Sequence, residues 1–239
     1  MNWYRAHYSA VNPARQVGEI APTYFASSEA CEHIALTVPH ARVVCIFRNP
    51  VERVVSLYRV KCAYGMIPWD FKEALVRDPE LLETSKYVSK LARWRNTLGP
   101  EQVLATVYDD LRNDPQSYVD RLTEFVGIPQ FKLTSSQRNS VHASHLMTHP
   151  RSYTRTREAT RIADWLKQRR LDRLVAVVRN SSLRRLFLGG GPPFSELTDD
   201  LAARLYDLFR PEVEQLEFIL RRDLSAWKHV AIGRELEAA

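Results

Sequence analysis

Cysteine is scarce in this 239-residue sequence, and none of its three cysteines has the spacing of a disulfide framework. Cys31, Cys45 and Cys62 are odd in number, and Cys45 lies in an apolar run where it serves as a small hydrophobic residue. No apolar run reaches the length of about 18 residues that a transmembrane helix needs. The first twenty residues carry Arg5 and Glu19 and do not resemble a signal peptide. We therefore expect a cytoplasmic protein without disulfides.

Several recognisable functional patterns are also missing. The sequence has no internal repeat, no low-complexity tract, no zinc-ligand spacing, no helix-turn-helix or RNA-binding signature, and no Ser-His-Asp arrangement. Its composition, 45% hydrophobic and 10% aromatic, is that of a globular protein of one domain. We expect that single domain to span residues 1–239.

A buried strand followed at once by a helix start is the most informative local pattern. Residues 42–47 read RVVCIF, a nearly unbroken apolar run that predicts a parallel strand covered on both faces. Asn49 then serves as an N-cap, with Pro50 in the first turn and Glu52 in the position of a capping box. A helix that begins at the end of such a strand directs free backbone N–H groups at the crevice where α/β proteins bind ligands.

Cationic and hydroxyl side chains accompany this helix start. Arg48 stands at the mouth of the crevice, and the helical period places Arg53, Ser56 and Arg59 near the same face as Asn49. A guanidinium and a hydroxyl in this position suit a phosphate group, with Arg48 and Ser56 as its ligands. The alternative is a charged, solvated helix face behind an ordinary buried strand.

The remaining elements alternate between strands and helices, which is typical of a layered α/β domain. The predicted elements are a short strand at 16–19, a helix capped by Ser27 or Ser28, a helix capped by Thr84 or Ser85, a strand at 102–108, a helix from Asp114 to Gly127 and a helical region from Thr198 to Leu224 that Pro211 interrupts.

Positive charge is concentrated between residues 151 and 185, a segment that contains ten arginines and one lysine but only three acidic residues. Such a field attracts phosphorylated or sulfated ligands, or nucleic acid. An Arg-rich nucleic-acid-binding protein is therefore one alternative function. A solvated helical face is the other interpretation.

Candidate proton acceptors are few. Glu19 follows the predicted strand at 16–19 and lies near the crevice in this interpretation. His142, His145 and His149 cluster in a polar segment and titrate near neutrality, but their spacing defines no metal site. For all four residues a structural role is the competing interpretation.

Several segments, in the same order along the chain, resemble the sulfotransferases that use 3'-phosphoadenosine 5'-phosphosulfate (PAPS). The closest resemblance is to the branch that contains heparan sulfate sulfotransferases and many bacterial relatives. Besides residues 48–59, RNPVERVVSLYR, the similar segments are Trp3-Tyr4-Arg5, GEIAPTYF at 18–25, KYVSKLARW at 86–94, DPQSYVDRLTEFVGIP at 114–129 and the sequence from Tyr206 through Pro211 to Lys228.

This resemblance implies a fold, an activity and two site residues. The implied fold is a three-layer α/β domain, with a P-loop-NTPase-like parallel sheet flanked by helices. The implied activity is transfer of a sulfuryl group from PAPS to a hydroxyl or amine of an unidentified acceptor, without a metal. By the same resemblance, Arg48 and Ser56 bind the 3'-phosphate of the nucleotide, and nucleic acid is not the expected partner.

The sequence departs from the family pattern at its front. The family's first strand and its Lys-x-Gly-Thr loop for the 5'-phosphosulfate are not found, and Gly189-Gly190-Gly191 is no substitute because it lacks a lysine and reads as a loop. We therefore expect an N-terminally truncated fold, with an uncovered edge and apolar side chains beside the strand at 42–47, and possible self-association. A non-catalytic, nucleotide-binding remnant of the family is the second alternative function.

Overall fold

The computed structural model describes residues 16–138, 147–169, 190–195 and 197–229. Some positions singled out above lie outside the described residues: Trp3-Tyr4-Arg5, His142, His145, Gly189 and residues 170–185.

Helices make up most of the described chain. They are α1 (Ser28–Thr37), α2 (Pro50–Ala63), α3 (Phe71–Arg77), α4 (Glu80–Glu83), α5 (Val88–Leu98), α6 (Tyr108–Asn113), α7 (Pro115–Val126), α8 (Ser135–Arg138), α9 (Tyr153–Gln168) and α10 (Asp199–Leu220). Short 3₁₀ turns cover Tyr24–Ala26, Pro100–Gln102 and Ser225–Trp227. The strands are β1 (Val43–Phe47), β2 (Val103–Val107), β3 (Thr148–Pro150) and β4 (Gly190–Pro193). Within the described ranges, no helix is long and apolar enough to cross a membrane.

Local capping chemistry sets the predicted helix boundaries. Helix α1 begins after Ser27, α2 after Asn49 and α7 after Asp114, and in each case the side-chain oxygen of the cap accepts a hydrogen bond from a first-turn backbone N–H. Helix α7 ends at Gly127, which has the left-handed φ of 76° that favours glycine. These boundaries are confirmed.

Strands β1 and β2 form a parallel pair, with Val43 opposite Val103 and Phe47 opposite Val107. One face of this pair packs against α1, α5 and the second half of α10. The buried core there includes Cys31, Phe47, Leu91, Trp94, Val213 and Leu216.

Helix α7 lies on the opposite face, over β2. The Thr106 hydroxyl donates to the Cys45 carbonyl at 3.0 Å and lies 2.9 Å from the Tyr118 hydroxyl of α7. Helices therefore flank the parallel strands on both sides, and the predicted three-layer α/β fold is confirmed.

The prediction that β1 is covered on both faces is wrong. Val44 and Ile46 are 36% and 47% exposed, so the face of β1 that carries them is partly open. Among the described residues β1 pairs only with β2, so its other edge has no partner strand there. The side chains of Val44 and Ile46 form an exposed apolar surface on this strand. The expected truncation of the fold stays a prediction.

A second core lies beneath α2, where Val54 and Tyr58 pack with Leu205 and Phe209 of α10. Helix α10 therefore contributes its first half to this core and its second half to the core at the sheet. The predicted interruption at Pro211 is wrong, since α10 is continuous from Asp199 to Leu220. Proline removes only one helical hydrogen bond, and burial of the residues on either side holds the helix together.

Strands β3 and β4 form an antiparallel pair that the sequence did not predict. The glycines expected in a loop lie partly in β4. A Cβ at Gly191 would lie 2.6 Å from the His149 carbonyl oxygen, so glycine permits the close approach of the two strands.

Two other sequence expectations need correction. Residues 16–19 are coil, with Val17 and Ile20 largely exposed, so this segment has no buried face to hold a strand. Helix α5 begins after Tyr87, without a side-chain cap from Thr84 or Ser85.

The first turns of α9 dock against the end of α2. Arg157 Nε donates to the Gly65 carbonyl at 3.2 Å, and the Thr160 hydroxyl donates to the Tyr64 carbonyl at 3.2 Å. Gly65 has a φ of 73°, and a Cβ there would lie 2.8 Å from the backbone nitrogen of Arg157. This contact leaves no room for a side chain.

We expect Gly65→Ala to destabilise the protein by about 2 kcal/mol or more, because the substitution combines backbone strain with a backbone clash. Urea unfolding measures the loss. Gly18→Ala is the matched control, since nothing lies within 4 Å of a Cβ at Gly18. It should change stability by less than about 0.5 kcal/mol. Equal losses for the two variants would contradict the docking of α9 on α2.

Candidate phosphate-binding site

Two residues meet where the parallel strands end. Arg48 directly follows β1 and Tyr108 directly follows β2, and the Arg48 guanidinium carbon lies 5.3 Å from the centre of the Tyr108 ring. This distance is that of a cation–π contact. The carboxyl ends of the strands therefore carry a guanidinium cation that packs against an aromatic ring.

Arg48 is held at its backbone and at its side chain. The buried Tyr87 hydroxyl donates to the Arg48 carbonyl at 2.9 Å, and Arg48 Nε donates to Glu52 Oε2 at 2.9 Å. Burial raises the pKa of the Tyr87 hydroxyl, which keeps it a protonated donor. The predicted capping box is only half formed, because the Glu52 carboxylate binds Arg48.

Asn49 is buried and uses both ends of its amide. Its Oδ1 accepts from the Val51 N–H at 3.0 Å, and its Nδ2 donates to the Tyr206 hydroxyl of α10 at 3.3 Å. Pro50 has no N–H, so the first turn offers fewer free backbone donors than the sequence suggested. An anion at this helix start must therefore be held mainly by side chains.

The polar face of α2 differs from the predicted one in a single arginine. Arg53 Nη1 donates to the Thr84 hydroxyl at 2.6 Å, which turns this guanidinium away toward α4 and α5. Glu52, Ser56 and Arg59 follow the spacing i, i+4, i+7 along one face, and all three are half-buried. Ser56, one of the two predicted ligands, thus lies on the face along which Arg48 reaches.

The electrostatics of this face are dominated by its two arginines. Burial lowers the pKa of the Arg59 guanidinium, and the nearby positive charge of Arg48 lowers it further. Glu52 is the carboxylate that pairs with Arg48. The face therefore carries two cations and one anion, with an excess of positive charge suited to an anionic ligand.

Glu19, the candidate base, is an exposed residue of the coil segment. That segment begins at Gln16, whose side chain lies beside Gly127 and Arg42, at the start of β1. Arg48 lies at the other end of the same strand. A catalytic role for Glu19 stays a prediction.

His149 is the described member of the histidine cluster. Its Nδ1 lies 2.6 Å from the Tyr153 hydroxyl and its ring lies 4.1 Å from that of Phe194. Burial lowers the pKa of His149, and burial together with the neighbouring Cys62 raises the pKa of Tyr153 to about 12. These contacts give His149 a packing role. No group of three or more metal-ligating side chains occurs among residues 16–138, 147–169, 190–195 and 197–229.

The described arginines of the basic segment have mostly structural partners. Arg151 donates to the Gly190 carbonyl, Arg157 donates to the Gly65 carbonyl, and Arg161 pairs with Glu158. This part of the segment therefore stabilises local contacts.

Sequence reasoning missed three residues that position Arg48 and Asn49: Tyr87, Tyr108 and Tyr206. Tyr87 and Tyr206 lie 39 positions from Arg48 and 157 positions from Asn49 respectively. Tyr87 and Tyr206 both lie in segments that resemble the family, residues 86–94 and 206–228, but their local patterns indicate only core helices.

The comparisons with known proteins agree with one another on a family. The family model described as "Sulfotransferase family" matches residues 3–132 of this chain, which is more than half of its length and includes the whole of β1 and α2.

Among curated proteins, two similar relatives are bifunctional heparan sulfate N-deacetylase/N-sulfotransferases. Protein 1 of Caenorhabditis briggsae is 22% identical over 161 residues, covering 59% of this chain and 18% of the relative. Protein 3 of Homo sapiens is 28% identical over 124 residues, covering 46% of this chain and 14% of the relative. The match thus spans less than a fifth of the length of either relative.

Among solved structures, a sulfotransferase from Alicyclobacillus acidocaldarius is similar in fold. It superposes with a TM-score of 0.64 and 20% identity, covering 95% of this chain and 74% of that one.

We expect Asn49→Ala to destabilise the protein by about 1–2 kcal/mol, because the change removes the N-cap of α2 and leaves the Tyr206 hydroxyl without its donor. Thermal unfolding measures the effect. Tyr206→Phe removes only the hydrogen bond to Asn49 and should cost about 0.5–1.5 kcal/mol. Asn96→Ala, at an exposed position of α5, is the control. A loss at Asn49 no larger than at Asn96 would contradict the capping role.

The depressed pKa of His149 makes stability depend on pH. The unfolded chain binds a proton near pH 6.5 while the folded chain resists it, so this contribution to stability is present above the unfolded pKa and is lost as the pH falls. We expect the free energy of unfolding of the wild type to decline as the pH falls from about 7 to about 5. The free energy of unfolding of His149→Gln should decline less over the same range. Urea titrations across this range test it. Parallel declines in the two proteins would show that His149 does not contribute.

Proposed function

The chain belongs to the sulfotransferase family, and on this premise we propose that it transfers a sulfuryl group from PAPS to a hydroxyl or amine acceptor. Arg48, at the carboxyl end of β1, carries this proposal. Its carbonyl and its side chain are both fixed before any ligand binds. Preorganised donors of this kind bind an anion without a further cost of ordering.

We assign the 3'-phosphate of the nucleotide to Arg48 and Ser56. Arg48 Nε is engaged by Glu52, so the terminal nitrogens of the guanidinium are the donors that face the phosphate. Ser56 lies one helical turn beyond Glu52 on the same face and supplies a hydroxyl. The Tyr108 ring restrains the guanidinium on its other side.

Sulfuryl transfer then proceeds by in-line displacement. The acceptor oxygen or nitrogen forms a bond to sulfur while the bond between sulfur and the bridging phosphate oxygen breaks. The acceptor proton leaves to a base, and adenosine 3',5'-bisphosphate departs as the leaving group. Binding the 3'-phosphate holds the nucleotide in register for this displacement. Glu19 is our candidate for the base, and its test is loss of turnover in Glu19→Gln with nucleotide affinity retained.

Adenosine 3',5'-bisphosphate should bind to the wild-type protein, and Arg48→Ala should weaken that binding by about tenfold to a hundredfold. A charge-assisted hydrogen bond contributes about 1.5–3 kcal/mol, and a neutral hydroxyl about 0.5–1.5 kcal/mol, so Ser56→Ala should have the smaller effect. Isothermal titration calorimetry measures both.

Arg161→Ala is the matched control, because it removes an arginine whose partner is Glu158 on the surface of α9. Its affinity should equal that of the wild type. A wild-type protein that does not bind the bisphosphate would refute the proposal. Binding without sulfuryl transfer would identify a non-catalytic nucleotide-binding protein. Salt-sensitive binding of DNA or RNA that survives Arg48→Ala would favour the nucleic-acid alternative.

A further inference from the structure

We propose that Arg59 is a second cationic ligand of the phosphate site and that it makes the site selective for a nucleotide with a doubly charged 3'-phosphate. This inference rests on the proposed function, since it concerns the same nucleotide. It adds a specificity-determining residue to the pair formed by Arg48 and Ser56.

Helix geometry brings Arg59 to the site. Arg48 reaches forward along α2 as far as Glu52, as their 2.9 Å ion pair records. Helical side chains lean toward the N-terminus of their helix, so the side chain of Arg59 leans back over Ser56. The axial rise from position 52 to position 59 is about 10 Å. Ser56 and Arg59 are thus one helical turn apart on the face of α2 along which Arg48 reaches.

Arg59 differs from Arg53, the other arginine of α2, because it makes no hydrogen bond or ion pair with a side chain in the part of the protein that the structure describes. Arg53 donates to the Thr84 hydroxyl, whereas the described residues include no carboxylate that pairs with Arg59. Its side chain is nevertheless half-buried and lies close enough to Arg48 for the two charges to repel. A partly desolvated cation beside a second cation destabilises the folded chain until an anion binds between them.

The charge balance selects the ligand. Two guanidiniums and the Glu52 carboxylate leave one excess positive charge before binding, and each arginine offers donors in a planar fork that matches a phosphate. A phosphate monoester carries a charge of about −1.5 to −2 at pH 7, with a second pKa of about 6. A nucleotide with a free 3'-hydroxyl supplies no such charge at its 3'-position, so Arg59 discriminates between the two.

Calorimetry with two ligands tests this role. The ligands are adenosine 3',5'-bisphosphate and adenosine 5'-monophosphate, which lacks the 3'-phosphate. Arg59→Met keeps the aliphatic packing of the side chain and removes its charge. This substitution should lower the affinity for the bisphosphate by about tenfold to a hundredfold and leave the affinity for the monophosphate unchanged. Arg59→Lys should recover part of the lost affinity, because it restores the charge without the fork.

Stability and pH provide two readouts that a merely structural arginine would not give. Arg59→Met should keep or raise the melting temperature, because it removes a repelled and partly buried charge. In the wild type, bisphosphate affinity should fall below about pH 6 as the dianion is protonated, and this fall should be smaller in Arg59→Met. Arg204→Ala is the charge-matched control, since Arg204 and its partner Asp200 are both highly exposed.

The outcomes separate this inference from the proposed function. No binding of the bisphosphate by the wild-type protein would refute both. Wild-type binding with equal affinity in Arg59→Met would refute the role of Arg59 alone. A parallel loss for both ligands, or a large fall in melting temperature, would assign Arg59 to the stability of α2.

Discussion

The buried amide of Asn49 joins α2 to α10, and the residue before it is joined to a third part of the molecule. One end of the amide starts α2, the other binds Tyr206 of α10, and the preceding residue is held by Tyr87 of the chain segment before α5. A buried polar group is costly unless its hydrogen bonds are made, so these elements assemble around it together. The direction in which Arg48 projects follows from this assembly.

Features that depend on local capping could be predicted from the sequence, whereas features that depend on tertiary packing could not. The start of α2 at Asn49 and the end of α7 at Gly127 depend on caps within a few residues, and they were predictable for that reason. The continuity of α10 across Pro211 depends on burial against two cores, and the pairing of β4 depends on a strand 40 positions earlier. Neither contact can be recognised from the amino-acid sequence of its own segment.

The candidate site shows the same division. The positions of Arg48 and Ser56 at the strand end and on one helix face were predictable, because a strand end, a cap and a helical period lie within nine consecutive residues. Their binding of a phosphate stays a prediction. The tyrosines that orient Arg48 and Asn49 arrive from distant segments, and sequence alone cannot say which aromatic residue meets which backbone group. The sequence also placed Arg53 on the face of Ser56, whereas the hydroxyls near α4 draw it away. A helical period fixes the direction of a Cβ, but the end of a long side chain goes to the partner that binds it best.

The link between Asn49 and Tyr206 has a consequence for the order of synthesis. The two residues are 157 positions apart, so the strand and helix that carry Arg48 leave the ribosome long before the helix that supplies their partner. At about 5–20 residues per second, that interval is on the order of ten seconds. Throughout it the Asn49 Nδ2 lacks Tyr206, and the side chains of Val54 and Tyr58 lack Leu205 and Phe209. The candidate phosphate-binding site is therefore completed only after the closing helix has been synthesised.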